Sequence, residues 1–371
     1  MTQALTKKIA YEALENFFSN SNKPFVLFGT GPSIAVDNRF GMSALKDFLC
    51  EEIPKKNLTN HQKAEWEKLV NSLHKDNDLE SAIDEVKDKD LLQMVIQSTS
   101  ELLVNLNNEF FGKILSGEKN WPPLPLFKRL VDGLPETDRT LHVATTNYDL
   151  LAEAAFERGK LPYITGFYGG VCRCLDWKTA GRSMTYSDTV NRPRSRKIKS
   201  ETKTIKHIRL YKVHGSLNTF MFNNEVVENN YWIQECPDGI DIKRLMITPG
   251  GQKYQRLHNF RSALLSEYDQ AKEKHDAFLF IGFGFNDNQL IDQSFKSKLK
   301  KKKCPALILT RDSNKKIDKI WQENDNTWLV CKTPRKGDDR AIICNSRYNT
   351  PYLADEPLWD SSRFAAKILG G

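Results

Sequence analysis

The stretch Phe25-Val26-Leu27-Phe28-Gly29-Thr30-Gly31-Pro32-Ser33 decides the fold of this chain. Its first four residues are apolar, which is typical of a buried strand, and the glycines and proline that follow predict a tight turn. Three more apolar runs also end in short polar or glycine-containing motifs. These motifs are Thr145-Thr146-Asn147-Tyr148-Asp149, Val213-His214-Gly215-Ser216 and Gly282-Phe283-Gly284-Phe285-Asn286-Asp287.

Helical patterns alternate with the strands along the chain. This alternation predicts an α/β fold: a Rossmann-like parallel sheet with helices on both faces. Ligands bind such sheets beyond the carboxyl ends of the strands, so we expect the four motifs to meet at one crevice. The predicted strands cover 25–28, 141–146, 208–213, 245–247, 277–281, 306–309 and 328–331. The predicted helices cover 4–20, 150–159, 255–274, 287–299 and 313–322. A hairpin is predicted to turn at Asn223-Asn224.

Two long stretches interrupt the alternation. Residues from about 43 to 120 have a helical pattern without a strong strand, and consecutive prolines end it. Residues from about 165 to 205 are rich in loop-forming residues. We predict one domain over 1–332 with these two insertions, followed by an irregular segment, 333–371, that serves assembly.

The composition is that of an ordinary globular protein. The 371 residues are 39% hydrophobic and 27% charged. The most apolar stretch, 278–285, contains two glycines and is far shorter than the roughly 20 apolar residues of a membrane span. The first residues lack the pattern of a secretory signal, and seven thinly spread cysteines suit reduced thiols. The sequence therefore predicts a cytoplasmic protein and excludes membrane, secreted and collagen-like classes.

The net charge of +8 is concentrated in two basic runs, 192–199 and 296–303. Such runs can meet nucleic acid or an acidic partner, but solvated loops and helix ends are the commoner explanation. Neither run has interleaved aromatic residues on which bases could stack. Charge alone leaves direct nucleic-acid binding open.

Metal binding is the main competing use of the cysteines and histidines. Cys172-Arg173-Cys174 has one intervening residue, and no second closely spaced cysteine pair follows it. A zinc ribbon needs two such pairs, so we predict no zinc and no other metal site. The sequence also lacks the signatures GxSxG, GxxxxGK[ST] and HExxH, which excludes those enzyme classes.

The side chains of the four motifs allow both chemical and structural roles. The glycine turn at 29–33 suits a phosphate cradle or a plain tight turn. Asn147 and Asp149 can hold a hydroxyl, a carboxamide or a water, and one of them can instead cap the following helix. His214 is a residue type that can act as a general base near neutrality, or it is a hydrogen-bonded structural residue.

Taken in order, the four motifs resemble those of the sirtuins: a glycine-rich entry turn, an Asn-x-Asp motif, a His-Gly and a late glycine-rich nucleotide loop. The resemblance covers the sheet-forming parts of residues 24–310 and is greatest to divergent bacterial sirtuin-like proteins of antiphage defence. Those proteins resemble NAD-hydrolysing effectors, and short stand-alone chains of this kind are similar to ones that assemble with a HerA-type hexameric ATPase. The resemblance implies NAD⁺ as substrate, a homo-oligomer and that ATPase as partner.

The resemblance also implies a role for each site residue. Asn147 would position the ribose or the attacking water, Asp149 would bind the carboxamide, and His214 would be the general base. The remaining residues would bind the cofactor: Gly29, Thr30, Gly31 and Ser33 at the pyrophosphate and the edge of the nicotinamide pocket, Gly282, Gly284 and Asp287 near the adenosine ribose, and Asp37 and Arg39 in the loop after the entry turn.

The departures from the sirtuin pattern shape the expected reaction. The zinc module is missing, and Thr248-Pro249-Gly250-Gly251 stands where sirtuins have a Phe-Gly-Glu segment that pairs with an acyl-lysine peptide. Water is then the expected acceptor, and the sequence predicts an NAD⁺ hydrolase that releases nicotinamide and ADP-ribose. The alternatives are a non-catalytic sensor of NAD or ADP-ribose, a protein deacylase, a Rossmann oxidoreductase and a nucleic-acid-binding protein.

Overall fold

The computed structural model describes residues 4–19, 23–73, 79–190, 199–246, 258–287 and 290–370. Two stretches discussed above lie outside this part of the chain: residues 192–198 of the first basic run, and residues 248–251, which stand in place of the Phe-Gly-Glu segment of sirtuins. Among the described residues, no helix has both the length and the apolar character needed to cross a membrane.

A mainly parallel sheet forms the centre of the molecule. Within the described residues it has nine strands in the order β16-β15-β14-β13-β12-β1-β2-β8-β3, of which β15 runs antiparallel to its two neighbours, β14 and β16. The predicted α/β fold class, with helices on both faces of a parallel sheet, is confirmed. The strands are β1 Phe25–Phe28, β2 Thr140–Thr145, β3 Tyr163–Ile164, β8 His207–Lys212, β12 Phe278–Ile281, β13 Ala306–Leu309, β14 Thr327–Lys332, β15 Ala341–Cys344 and β16 Tyr352–Leu353.

Both faces of this sheet are buried, which is why its strands read as continuous apolar runs. All four residues of β1, β12 and β13 are buried. Side chains alternate between the faces, so Val26 and Leu279 pack into one hydrophobic cluster while Phe25 and Phe278 pack into the other. Burying each such side chain stabilises the fold by about 1.5–3 kcal/mol relative to exposure.

Helices cover the two faces. Against one face pack α1 (Lys7–Ser19), α6 (Lys89–Ser116), α7 (Leu124–Asp132), α8 (Leu151–Gly159) and α13 (Ser361–Ile368). Against the other pack α9 (Trp177–Arg182), α10 (His258–Lys274), α11 (Gln293–Lys300) and α12 (Lys315–Glu323). The predicted helix over 287–299 begins only at Gln293, where the side chain of Asp292 caps its first turn.

The long helical stretch before Trp121 is helical as predicted. Its helices are α3 (Met42–Glu52), α4 (Asn60–Leu73), α5 (Leu79–Asp84) and α6, with a short 3₁₀ helix at Ile53–Lys55. Leu49, Trp66 and Leu91 belong to a separate hydrophobic cluster formed by these helices. Only α6 continues onto the central sheet, where Phe110 and Ile114 join its core.

The stretch 165–205 differs from the predicted loop. It contains β4 (Phe167–Gly169), β5 (Arg173–Leu175), α9 and an antiparallel pair, β6 (Thr185–Val190) and β7 (Lys199–Thr204). A second sheet has the order β11-β9-β10-β5-β4, with β9 Gly215–Phe222, β10 Glu225–Glu228 and β11 Ile242–Met246. β4 and β5 have three residues each and β6 and β7 are largely polar, so hydrophobic periodicity does not reveal these four strands. Leu245 and Met246 of the predicted strand at 245–247 lie in β11 of this sheet, whereas residue 247 lies outside the described residues. The hairpin turns at Asn223-Asn224 as predicted.

The C-terminal residues are not irregular as predicted. The main sheet continues from β14 into β15 and β16, so strand pairing crosses the expected border at residue 332. Phe364 of α13 is fully buried in the main core, as is Ile343 of β15. The pattern was missed because β15 and β16 have four and two residues, too few to show a period.

Candidate active site

Four loops at one edge of the central sheet carry the motifs. The strands β12, β1, β2 and β8 are neighbours in that order and run parallel, so the segments that follow them leave the sheet at the same edge. They lead into Gly282, Gly29, Asn147 and His214 respectively. The short helix α2 (Gly31–Ile34) follows β1 directly.

The glycines allow the loops after β1 and β12 to cross in contact. A Cβ atom on Gly31 would lie 2.5 Å from the Cα of Gly282, and Gly282 has a φ of +53°. The Gly31 amide donates to the Gly282 carbonyl at 3.1 Å, and the Gly29 amide donates to Ile281 at 3.2 Å. These amides already have acceptors. The glycines therefore serve to let the two backbones cross at close range.

A buried polar cluster lies beside this crossing. The Ser33 hydroxyl donates to Asp149 Oδ2 at 2.8 Å and accepts from Asn147 Nδ2 at 3.1 Å. All three residues are buried. Asn147 Oδ1 is also buried and has no hydrogen-bond partner among the described residues. A buried acceptor left without a donor is unfavourable, so this atom suits a ligand hydroxyl or a water.

Asp149 combines the two roles considered from the sequence. Its Oδ2 accepts from Ser33 and its Oδ1 accepts from the amide of Leu151, the first residue of α8, at 3.2 Å. The carboxylate therefore caps the helix and fixes Ser33 at the same time. Each carboxylate oxygen can accept a second hydrogen bond, so a further donor can still be bound.

His214 lies in the turn between β8 and β9. Its Nε2 is 2.6 Å from Asp287 Oδ2, and the two side chains are 18% and 10% exposed. A carboxylate only accepts, so Nε2 carries the proton and Nδ1 is the nitrogen that can take one in the neutral ring. Asp287, which the resemblance placed near the adenosine ribose, thus lies against the histidine.

Tyr148 connects the two parts of this edge. Its ring centroid is 6.4 Å from that of His214, and its carbonyl accepts from the Leu217 amide of β9 at 3.0 Å. The turn that carries Asn147 is therefore joined to the strand that follows His214.

A cleft of about 430 Å³ borders the glycine crossing. Of the predicted site residues, Thr30, Gly31, Gly282 and Gly284 line it, whereas Ser33, Asn147 and His214 do not. Sequence reasoning missed the rest of its lining. The missed residues include Asn38, Pro122, Arg311, Asp312 and Trp359. Arg311 and Asp312 follow the carboxyl end of strand β13, so the position of that strand in the sheet could have identified them. No sequence signal pointed to the other three residues.

Asp37 and Arg39 are held against α6. The Arg39 guanidinium bonds both Asp37 and Glu109 and lies 5.4 Å from the centroid of the Phe110 ring. The hydrogen bond from Arg39 holds the pKa of Asp37 below its ordinary value. Asn38 therefore lines the cleft, whereas Asp37 and Arg39, the neighbours that were predicted to bind the cofactor, do not.

The cysteines and histidines form no zinc-like cluster within the described residues. All seven cysteines are free thiols. In that part of the chain, one group of three potential ligands lies close enough for a metal ion: His61, Glu65 and Asp88. Both carboxylates already accept main-chain amides, Glu65 from Lys87 and Asp88 from Leu91 at the start of α6. Helix capping accounts for this group.

The second basic run forms the end of α11. Lys298 is buried and donates to the carbonyls of Glu273 and His275, while Lys300 to Lys303 are exposed. One lysine of the run is thus structural, and lysines at a helix C-terminus are favoured by its dipole.

The fold is that of an α/β protein with a mainly parallel central sheet, and a polar cluster lies at the carboxyl edge of this sheet. A family model described as a SIR2-like domain matches residues 141–329, just over half of the chain, and the chain therefore belongs to the SIR2-like family. The matched region contains Asn147, Asp149, His214 and Asp287, and membership implies an activity related to NAD. No curated protein matches the chain.

Proposed function

We propose that this protein is an NAD⁺ glycohydrolase that releases nicotinamide and ADP-ribose. The observation that carries the proposal is the arrangement of two held side chains at one edge of the sheet. Asn147 is fixed by Ser33 and keeps a buried acceptor without a partner among the described residues, and His214 is oriented by Asp287. Hydrolysis requires an acceptor that holds a hydroxyl or water and a base that takes the proton of the water.

The cleft at this edge has the size of a small-molecule site. A volume of about 430 Å³ is within the range of small-molecule sites, roughly 300–1,000 Å³. In the proposal the pyrophosphate lies along Thr30, Gly31, Gly282 and Gly284, and Gly29 maintains the crossing that shapes this wall. The nicotinamide end lies toward Ser33, with its carboxamide on Asp149.

The mechanism follows from the protein groups. The nicotinamide of NAD⁺ carries a positive charge and leaves the ribose as a neutral base. Asn147 holds the ribose or the attacking water through Oδ1, and His214 takes the proton of the water through Nδ1. Asp287 keeps the imidazole in this orientation. Assistance by a general base contributes about 10²–10⁴-fold to the rate.

Consumption of NAD⁺ tests the proposal directly. Purified wild-type protein is incubated with NAD⁺, and nicotinamide and ADP-ribose are resolved by chromatography, beside Asn147→Ala. The matched control is Asn345→Ala: Asn345 is equally buried but donates to the carbonyls of Asp325 and Thr327, away from this edge. We expect turnover in the wild type and in Asn345→Ala, and its loss in Asn147→Ala.

Other outcomes identify the alternatives. Binding of NAD⁺ or ADP-ribose without turnover, alone and with a partner, would favour a non-catalytic sensor. Release of O-acetyl-ADP-ribose only in the presence of an acetyl-lysine peptide would favour a deacylase. A protein that neither binds nor cleaves NAD⁺ contradicts the proposal.

The cellular role rests on the resemblance to antiphage effectors. We propose that the protein acts in abortive-infection defence as a homo-oligomer with a HerA-type ATPase, and that residues 333–371 contribute to assembly. Constant loss of NAD⁺ would harm the cell, so activity should rise on assembly. Light scattering of the chain with and without the ATPase, combined with the NAD⁺ assay, tests this. A monomer whose activity the ATPase leaves unchanged contradicts it.

A further inference from the structure

Lys212 connects the two parts of the candidate active site. It is the last residue of β8 and lies opposite Thr145, the last residue of β2, in the parallel register. Its side chain is 4% exposed, and its Nζ donates to the main-chain carbonyl of Asp149 at 2.6 Å. The same ammonium pairs with Glu153 Oε1 at 3.0 Å. One group thus joins the strand that leads to His214, the turn that carries Asn147 and the first turn of α8.

Stability alone does not account for this buried ion pair. Removing two charges from water costs several kcal/mol per ion, and apolar replacements of a buried pair are often neutral or stabilising. Glu153 Oε2 is also buried without a hydrogen-bond partner among the described residues, which adds to the unfavourable side. An apolar pair could not donate a hydrogen bond to the Asp149 carbonyl, as Lys212 does.

The backbone of this turn is held at several points. The Asn147 amide donates to Thr145 Oγ1 at 3.1 Å, and the Leu150 amide donates to Asn107 Oδ1 at 2.9 Å. Lys212 supplies the contact that comes from the strand of His214. It therefore adds a buried side-chain link to the main-chain hydrogen bond between Leu217 and Tyr148, which joins the same turn to the strand after the histidine.

We propose that Lys212 is a positioning residue for NAD⁺ hydrolysis, with Glu153 as its counterion. By holding the Asp149 carbonyl it sets the place of Asn147 relative to His214, and it touches neither the substrate nor the reacting atoms. The inference rests on the proposed function and adds to it. A misplacement of about 1 Å at a reacting group can lower a rate about 10²-fold.

The test is the double variant Lys212→Met/Glu153→Leu, which replaces the pair with apolar side chains of similar size. We expect a melting temperature near that of the wild type and a kcat about 10- to 100-fold lower, with little change in KM. Hydrogen–deuterium exchange should be about tenfold faster in peptides that cover 145–151, because the turn opens more easily. Lys212→Arg, which keeps a charged donor, should recover part of both losses.

The matched control is Lys298→Met. Lys298 is an equally buried lysine that donates to main-chain carbonyls, but its acceptor His275 precedes β12 at the opposite end of the strands. We expect this variant to lose stability while kcat and exchange over 145–151 stay at the wild-type level.

The outcomes separate this inference from the proposed function. Wild-type kcat in the double variant overturns the inference, even if exchange is faster, because the pair is then only structural. Unchanged exchange over 145–151 overturns it as well. A wild-type protein without turnover contradicts the proposed function, and exchange over 145–151 then decides: faster exchange in the double variant supports the hold of Lys212 on this turn, and unchanged exchange overturns it.

Discussion

His214 and His142 belong to neighbouring strands but have opposite surroundings. His214 follows the carboxyl end of β8, is partly exposed and pairs with the carboxylate of Asp287. His142 lies within β2, where its Nδ1 is 2.8 Å from the Tyr211 hydroxyl and its ring is 4.9 Å from that of His275. Burial lowers the pKa of His142 to about 2, so this ring is neutral at physiological pH.

The comparison shows that position in the sheet separates chemistry from packing. His142 is a half-buried, neutral imidazole between the rings of Tyr211 and His275, whereas His214 at the carboxyl edge has a charged partner. The sequence does not distinguish the two residues, because each is a single histidine next to apolar residues. The predictions below test this difference from the largest expected effect to the smallest.

Replacing the two histidines in turn should give the largest contrast. His214→Ala removes the proposed base, so we expect turnover of NAD⁺ to fall by about 10²–10⁴-fold with little change in melting temperature. His142→Gln should keep turnover and lower the melting temperature, because it disturbs the half-buried hydrogen bond with Tyr211. Steady-state kinetics and thermal unfolding measure both. Retained turnover in His214→Ala would remove His214 from the mechanism.

The crossing of Gly31 and Gly282 should be the next most sensitive feature. In Gly31→Ala the added Cβ meets backbone, so we expect a loss of roughly 1–3 kcal/mol in the free energy of unfolding, together with weaker NAD⁺ binding. Gly112→Ala is the control, since nothing lies within 4 Å of its Cβ position in α6 and alanine favours a helix. Urea unfolding compares the two. Equal stability of Gly31→Ala and wild type would refute the close crossing.

Removing the charge beside His214 should have a smaller effect on the reaction. Asp287→Asn keeps the shape but loses the charged acceptor, whose hydrogen bond is worth about 1.5–3 kcal/mol. We expect kcat to fall about 10- to 100-fold and the pH profile of kcat to change, with NAD⁺ affinity retained. An unchanged pH profile would mean that Asp287 does not act through His214.

Acid should weaken the fold through three histidines whose pKa values lie below the ordinary value. Burial lowers the pKa values of His142, His207 and His275, so the unfolded chain binds more protons as the pH falls below about 6.5. Each then reduces the free energy of unfolding by up to about 1.4 kcal/mol per pH unit. Glu228, whose pKa burial raises to about 7, acts in the opposite direction.

His142→Gln isolates the contribution of one histidine. Urea unfolding at pH 7.5 and 5.5 should show a smaller acid loss in this variant than in the wild type, since one proton-binding group is gone from the unfolded chain. An equal loss in both proteins would show that His142 titrates alike in the folded and unfolded states.

Much of the site could be predicted because its strands carry local signals. The apolar runs of β1 and β12 and the motifs after them identify a parallel sheet and its functional edge. The partners within the site carry no such signal: Ser33 and Asp149 are separated by 116 residues and His214 and Asp287 by 73. Arg39 follows a glycine turn and was therefore expected to bind the cofactor. In the structure it pairs with Glu109 on α6, a distant contact that the sequence does not reveal.

The sequence by itself determined the strands of the central sheet, the fold class and the four motifs at its edge. Apolar runs and glycine turns are local properties, and they act over a few residues. The tertiary structure alone decided that β12 lies beside β1, that Asp287 faces His214, that Lys212 holds the Asp149 carbonyl and that the C-terminal residues complete the sheet. These contacts depend on strand order and on packing between distant segments, which no local pattern specifies.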